Sequence, residues 1–153
     1  MSEVSKADDA LLARTANTVF GRKGELKSLA MMPHPRRVFA MIYSAQGTID
    51  NGGFQYFFEC DWPGRPPYTT FSDAYREIGA TDVANWLDEA AAMFPFAEPH
   101  VHRSERVGYL REFCVKGDSP MGILSGEAID ASARVFTRLA EYVRLNSEHF
   151  KRS

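Results

Sequence analysis

The sequence predicts an all-α domain of about six or seven helices, and three observations predict it. Apolar residues recur at three- and four-residue spacing in several separate stretches, which puts them on one side of a helix. No stretch shows a convincing run of strict apolar–polar alternation, the mark of a half-buried strand. Gly and Pro mark the ends of the periodic stretches, where helices stop.

Residues 7–21 are the first expected helix, with Leu11, Leu12, Thr15 and Val19 near helical spacing and Gly21 and Gly24 closing it. Residues 25–32 suggest one further helical turn before Pro33 and Pro35. Pro35 then suits a first helical position, because its missing N–H would be unpaired there anyway. Val38, Met41, Ile42, Ala45 and Ile49 form one apolar stripe behind it, and Asp50-Asn51-Gly52-Gly53 is expected to end that helix. A short aromatic helix, Phe54 to Phe58, should follow.

Three prolines within Asp61–Tyr68 forbid regular helix and central strand alike, so this segment is a loop. Ser72 can cap a helix that Gly79 ends. Thr81 can cap the next, with Val83, Leu87, Ala90 and Phe94 inward and Asp82, Asn85, Asp88 and Glu89 outward. Pro95 and Pro99 mark a loop. Ser104 can cap a helix carrying Val107, Leu110 and Cys114. A last helix over residues 127–148 should bury Ile129, Ala133, Phe136, Ala140 and Val143, and pair Asp130 with Arg134 outside. No repeat, low-complexity tract or linker divides the chain, so residues 1–153 are expected to be one domain with its core over about 7–148.

Composition agrees with a folded domain: 44% hydrophobic and 25% charged residues are ordinary globular values. The net charge of -2 predicts no direct binding to nucleic acid or to an anionic membrane. Its distribution is uneven. Residues 50–98 hold nine acids against Arg65 and Arg76, a local net of -7. Cys60 and Cys114 are too few for a disulfide framework and are expected to be buried free thiols. The first residues, Met-Ser-Glu-Val-Ser-Lys, have no apolar core, and no apolar run is long enough to span a bilayer. A cytoplasmic location is the expectation.

The most distinctive stretch is Asp50-Asn51-Gly52-Gly53-Phe54-Gln55-Tyr56-Phe57-Phe58. On the residues alone it is scaffolding: Asn51, Gly52 and Gly53 let the chain turn at low steric cost, and Phe54, Phe57 and Phe58 anchor the next helix. The functional reading has Gln55 and Tyr56 presented to a ligand. With the Ile78-Gly79-Ala80 segment and the Ala-rich stretch ending in Phe94, this motif resembles the DNA-mimic-protein-nineteen family over roughly residues 35–145. That resemblance implies a bacterial helical domain. Its founding member is a strongly acidic dimer that occupies the DNA-binding surface of a transcription factor. A basic protein partner such as a DNA-binding regulator, and self-association as a homodimer, are the implied expectations. The net charge here is far lower than a DNA mimic's, and Gln55 follows Phe54 directly, where the family's Gln usually falls two places after the Phe.

Two candidate partner-binding surfaces follow. Asp73, Glu77, Asp82, Asp88 and Glu89 are carboxylates on two successive helices, able to form an acidic face or simply a solvated one. Trp62, Arg65 and Tyr68 are hot-spot residue types on one Pro-stiffened loop; Trp62 and Tyr68 are as well suited to folding back on the core. The Glu98-Pro99-His100-Val101-His102 segment offers metal-ligand chemistry only if three groups converge. Nucleophile elbow, phosphate loop and paired zinc cysteines are absent. The expected function is therefore non-catalytic protein binding without metal or cofactor. A small metal-dependent hydrolase using Glu98, His100 and His102, and an immunity- or antitoxin-like inhibitor of an enzyme, are the alternatives.

Overall fold

A long helix through the middle of the molecule organises everything else. The computed structural model describes residues 3–21, 29–114 and 116–151. Among them seven α-helices follow one another: α1 (Lys6–Phe20), α2 (His34–Glu59), α3 (Tyr68–Glu77), α4 (Thr81–Ala91), α5 (Arg103–Phe113), α6 (Pro120–Asp130) and α7 (Ser132–Leu145). Single 3-10 turns stand at Leu29–Met31, Pro99–Val101 and Ser147–Phe150. The described residues contain no strand, so the all-α class holds. The part of the expected turn over 25–32 that precedes Leu29, and the closing role of Gly24, lie outside the described residues.

The predicted stripe of α2 is buried, and Phe39 and Ala40 are buried beside it. A helix apolar on most sides must be surrounded, and α1, α3, α5, α6 and α7 all pack on α2. The Gly52-Gly53 pair ends the first helical run, as expected, and the aromatic helix follows it without an intervening loop. The pair breaks α2 in place: Gly53 has φ 73° and ψ -169°, and helical residues resume at once. The cause is α6, which crosses at this point. The Ser125 hydroxyl accepts the Phe54 N–H at 2.9 Å, a donor that the broken turn leaves without its helical partner. A Cβ on Gly53 would lie 2.7 Å from that hydroxyl, so both the positive φ and the close approach call for glycine.

Phe54, Phe57 and Phe58 are fully buried. Phe57 packs on Phe71 at a centroid distance of 5.1 Å and Phe58 on Phe94 at the same distance, both edge to face. The anchoring role read for these rings is what the fold uses them for.

Four expectations need correction. Thr81 does not cap α4 but is its first residue, behind the boundary residue Ala80. α3 begins at Tyr68, one turn before Ser72, because Pro67 is its first boundary residue and Tyr68, Phe71 and Tyr75 share the buried face. Ser72 lies inside the helix, where its hydroxyl donates to the Asp88 carboxylate. α5 begins at Arg103, with His102 rather than Ser104 at its boundary. The expected last helix is two helices. Ser119 caps α6 by accepting the Gly122 N–H at 3.0 Å, Pro120 opens it, and the chain changes direction at Ala131. That break moves the buried stripe of α7 to Val135, Leu139, Ala140, Tyr142 and Val143. Ile129 stays exposed, Ala133 and Phe136 are half-buried, and Arg134 reaches Asp82 of α4 rather than Asp130.

Candidate functional site

α3 and α4 pack on each other and turn Phe71, Ala74 and Tyr75, and Val83, Ala84, Leu87 and Ala90, into the core. Their polar residues are thereby displayed together. Asp73 is the most open carboxylate of α3, its side chain 76% exposed, and it meets Arg76 at 3.4 Å. Arg76 also bonds Asp88 of α4 and, at 3.2 Å, Asn85. The Asp88 hydrogen bond leads the causes that hold the Arg76 guanidinium above its ordinary pKa.

Glu77 is held differently. His34 on the first turn of α2 lies 2.6 Å from one carboxylate oxygen, and the Tyr142 hydroxyl of α7 donates to the other at 2.5 Å. Burial first, then this bond to Glu77, pushes the Tyr142 phenol well up. Asp82 accepts a two-pronged contact from Arg134, at 3.1 and 2.6 Å, and the Val83 N–H at 2.9 Å. Its carboxyl sits below the usual aspartate value, chiefly through the Arg134 bond. Glu89 is exposed.

The structure thus brings Asp73 and Asp88 together on Arg76, while Glu77 faces α2 and α7 and Asp82 faces α7. The five carboxylates lie on one helix pair but divide among separate junctions, and four of them meet a base of the same chain.

The loop candidate loses two of its three residues. Trp62 is 8% exposed and Tyr68 6%. The Trp62 indole donates to the Phe57 carbonyl at 3.1 Å, and its ring packs on Phe57 and Phe71. Tyr68 packs edge to face on Phe58 at 4.8 Å, and burial drives its hydroxyl up to about 12. Buried aromatics complete the core and are not displayed to a partner. Only Arg65 is exposed, at the tip of the turn closed by its own N–H to the Trp62 carbonyl.

His100 packs on Tyr68 and His102 on Phe96. Among the described residues no three His, Cys, Asp or Glu side chains gather as a metal site would require, so the Glu98–His100–His102 alternative has no ligand set there. Cys114 is buried and Cys60 half-buried, and burial raises both thiols. A raised thiol is a poor nucleophile at neutral pH.

Two polar features escaped the sequence reading. Arg106, 1% exposed, donates to the carbonyls of Phe58, Pro99 and Cys60 and to the Asp61 carboxylate. It closes the C-terminal end of α2, where carbonyls lack helical partners and cations are favoured. The signal was present: Arg106 stands four residues before Leu110, on the buried side of α5. Gln46, fully buried, accepts from Tyr75 at 3.0 Å and donates to Asp50 at 2.9 Å and to the Ala128 carbonyl at 3.1 Å. Burial, then Asp50, holds the Tyr75 phenol far above its ordinary value. This network ties α2, α3 and α6 together.

Beside the helix break, Gln55, Cys114, Ser125 and Ile129 line a shallow depression of about 280 Å³, and Tyr56 projects outward at 50% exposure. The turn, its capping serine and its buried rings are thus one unit, and the family comparison bears on that unit. The family model described as DMP19-like protein matches residues 30–146, which span the motif, the aromatic core and all of α2 to α7. The chain belongs to the DMP19-like family. Neither a curated protein nor a solved structure matches it. The DMP19-like match leaves out α1. No helix among the described residues is long and apolar enough to cross a membrane.

Proposed function

We propose that this DMP19-like protein is a non-catalytic protein-binding domain that presents the α3–α4 surface to a basic protein partner, of the kind a DNA-binding regulator provides. Family membership carries the proposal. The placement of Asp73, Glu77, Asp82, Asp88 and Glu89 on one helix pair supports it, since the partner-facing charges then come from a rigid scaffold and lose little freedom on binding.

The charge pattern sets the manner of binding. Duplex DNA carries one negative charge per roughly 1.7 Å of axis. Here Arg76, Arg134 and His34 each hold carboxylates of the same surface. Such a surface steers and orients a basic partner without reproducing a continuous phosphate backbone. Arg65 completes the displayed set, with Trp62 and Tyr68 supporting its loop from within.

The test is capture of partners from the source-cell lysate on the tagged protein, at low and at high salt. A specific partner retained at low salt and released at high salt is expected, because exposed charge pairs are screened within about 8–10 Å at physiological ionic strength. The variant carrying both Asp73→Lys and Glu89→Lys should lose that partner while keeping its fold. Absence of any specific partner at either salt would sink the proposal.

A further inference from the structure

A concave strip runs between the start of α2 and α3. It consists of two adjoining depressions of about 430 and 260 Å³ that share Arg37, Met41 and Thr70. The floor is apolar, with Met41 and Ala74 almost fully buried beneath it. Pro63 and Pro66 continue the apolar lining toward the loop.

At the smaller depression the two walls differ in charge. His34 and Arg37 stand on the α2 side, and Asp73 and Glu77 on the α3 side. Both oxygens of Glu77 are engaged by His34 and Tyr142, whereas Asp73 keeps most of its side chain in solvent. Asp73 is therefore the anion offered along one edge and Arg37 the cation along the other.

An apolar floor between two oppositely charged walls selects against a nucleic acid, whose phosphates would meet Asp73 and Glu77, and fits a polypeptide. Adjoining depressions in a line between two helices suit side chains that leave one helical face three or four residues apart. We propose that this strip docks an amphipathic helix of a protein partner. Its apolar residues fill the two depressions, its bases run along the α3 edge, and its acids run along the α2 edge. The inference rests on the protein-binding reading above and specifies the segment that would be bound.

Three labelled helical peptides of about four turns test it, each with leucines three and four apart. One carries Lys on one flank and Glu on the other; the second carries Lys on both flanks, the third Glu on both. They are titrated into the full chain at low salt, with fluorescence anisotropy and methyl NMR of Met41 and Ala74 as readouts. The mixed peptide should bind about fivefold tighter than either same-sign peptide, the scale of one exposed charge pair, and shift both methyls. Asp73→Lys should move the preference to the Glu peptide, and Arg37→Glu to the Lys peptide. Thr70→Trp, on the half-buried rim, should abolish binding of all three while the helical circular dichroism is unchanged.

Equal affinities, or no binding by any peptide, overturn the inference. A Lys peptide that binds best and perturbs Asp82 and Glu89 instead of the two methyls also overturns it, while leaving the acidic-surface reading in place.

Discussion

The break in α2 and the α3–α4 surface both depend on polar side chains, yet those side chains do opposite work. At the break and at the C-terminal end of α2 each polar side chain answers a backbone group that has lost its helical partner: Ser125 takes the Phe54 N–H, and Arg106 takes carbonyls at the end of the helix. Water cannot replace these partners in the interior, so losing one costs the full desolvation of the group left behind. On α3 and α4 the carboxylates meet bases at the surface, where water competes and salt screens. Such pairs contribute little to stability. They set the pattern of charge that a partner meets.

Substitutions that compare the two regions should separate by several kcal/mol. The largest effect is expected for Arg106→Met, which leaves the carbonyls of Phe58, Cys60 and Pro99 without their donor; a loss of about 3–5 kcal/mol is the scale for breaking a buried charged network. Urea denaturation measures it, and a loss below about 1 kcal/mol would show that water reaches the end of α2 after all. Gly53→Ala comes next. It combines a left-handed backbone with a Cβ pressed on Ser125, for about 2–4 kcal/mol. Adding Ser125→Gly removes the clash while exposing the Phe54 N–H, so the double variant should be more stable than the sum of the single losses predicts.

Arg134→Gln probes the surface side of the comparison. The Asp82 carboxyl lies below the ordinary 3.8 in the folded protein. Its pairing therefore stabilises the fold above that value, and the contribution is lost as pH falls below 3.8 toward the folded pKa. With both side chains well exposed, the pair should contribute less than about 1 kcal/mol after screening. Stability curves of the parent and Arg134→Gln should converge below that window; a gap persisting at low pH would assign Arg134 a packing role instead. The smallest effect belongs to Glu89→Lys, expected within about 0.5 kcal/mol. A large loss there would erase the distinction between the two regions.

The same distinction explains which features could be read from the sequence. The all-α class, the apolar stripe of α2 and the anchoring of Phe54, Phe57 and Phe58 follow from periodicity, which is local. The split between α6 and α7 was hidden because Gly122 and Gly126 weaken the helical pattern, although Ser119-Pro120 was an available start signal. Trp62 and Tyr68 illustrate a different limit. Their residue types suit an interface and a core equally well, and only the approach of Phe57, Phe58 and Phe71 assigns them to the core.

By itself the sequence determined that the chain is helical, where the apolar stripe of α2 runs, that its middle is acidic, and which family motif it carries. These are properties of neighbours along the chain: spacing, local charge, a Gly-Gly step. Tertiary structure alone decided that the Gly-Gly step bends around Ser125, that Arg106 is buried on the end of α2, and that Arg134 and His34 answer Asp82 and Glu77. Each of those is a meeting of groups distant in sequence, and a hydrogen bond or ion pair exists only where packing has already brought its two ends within about 3 Å.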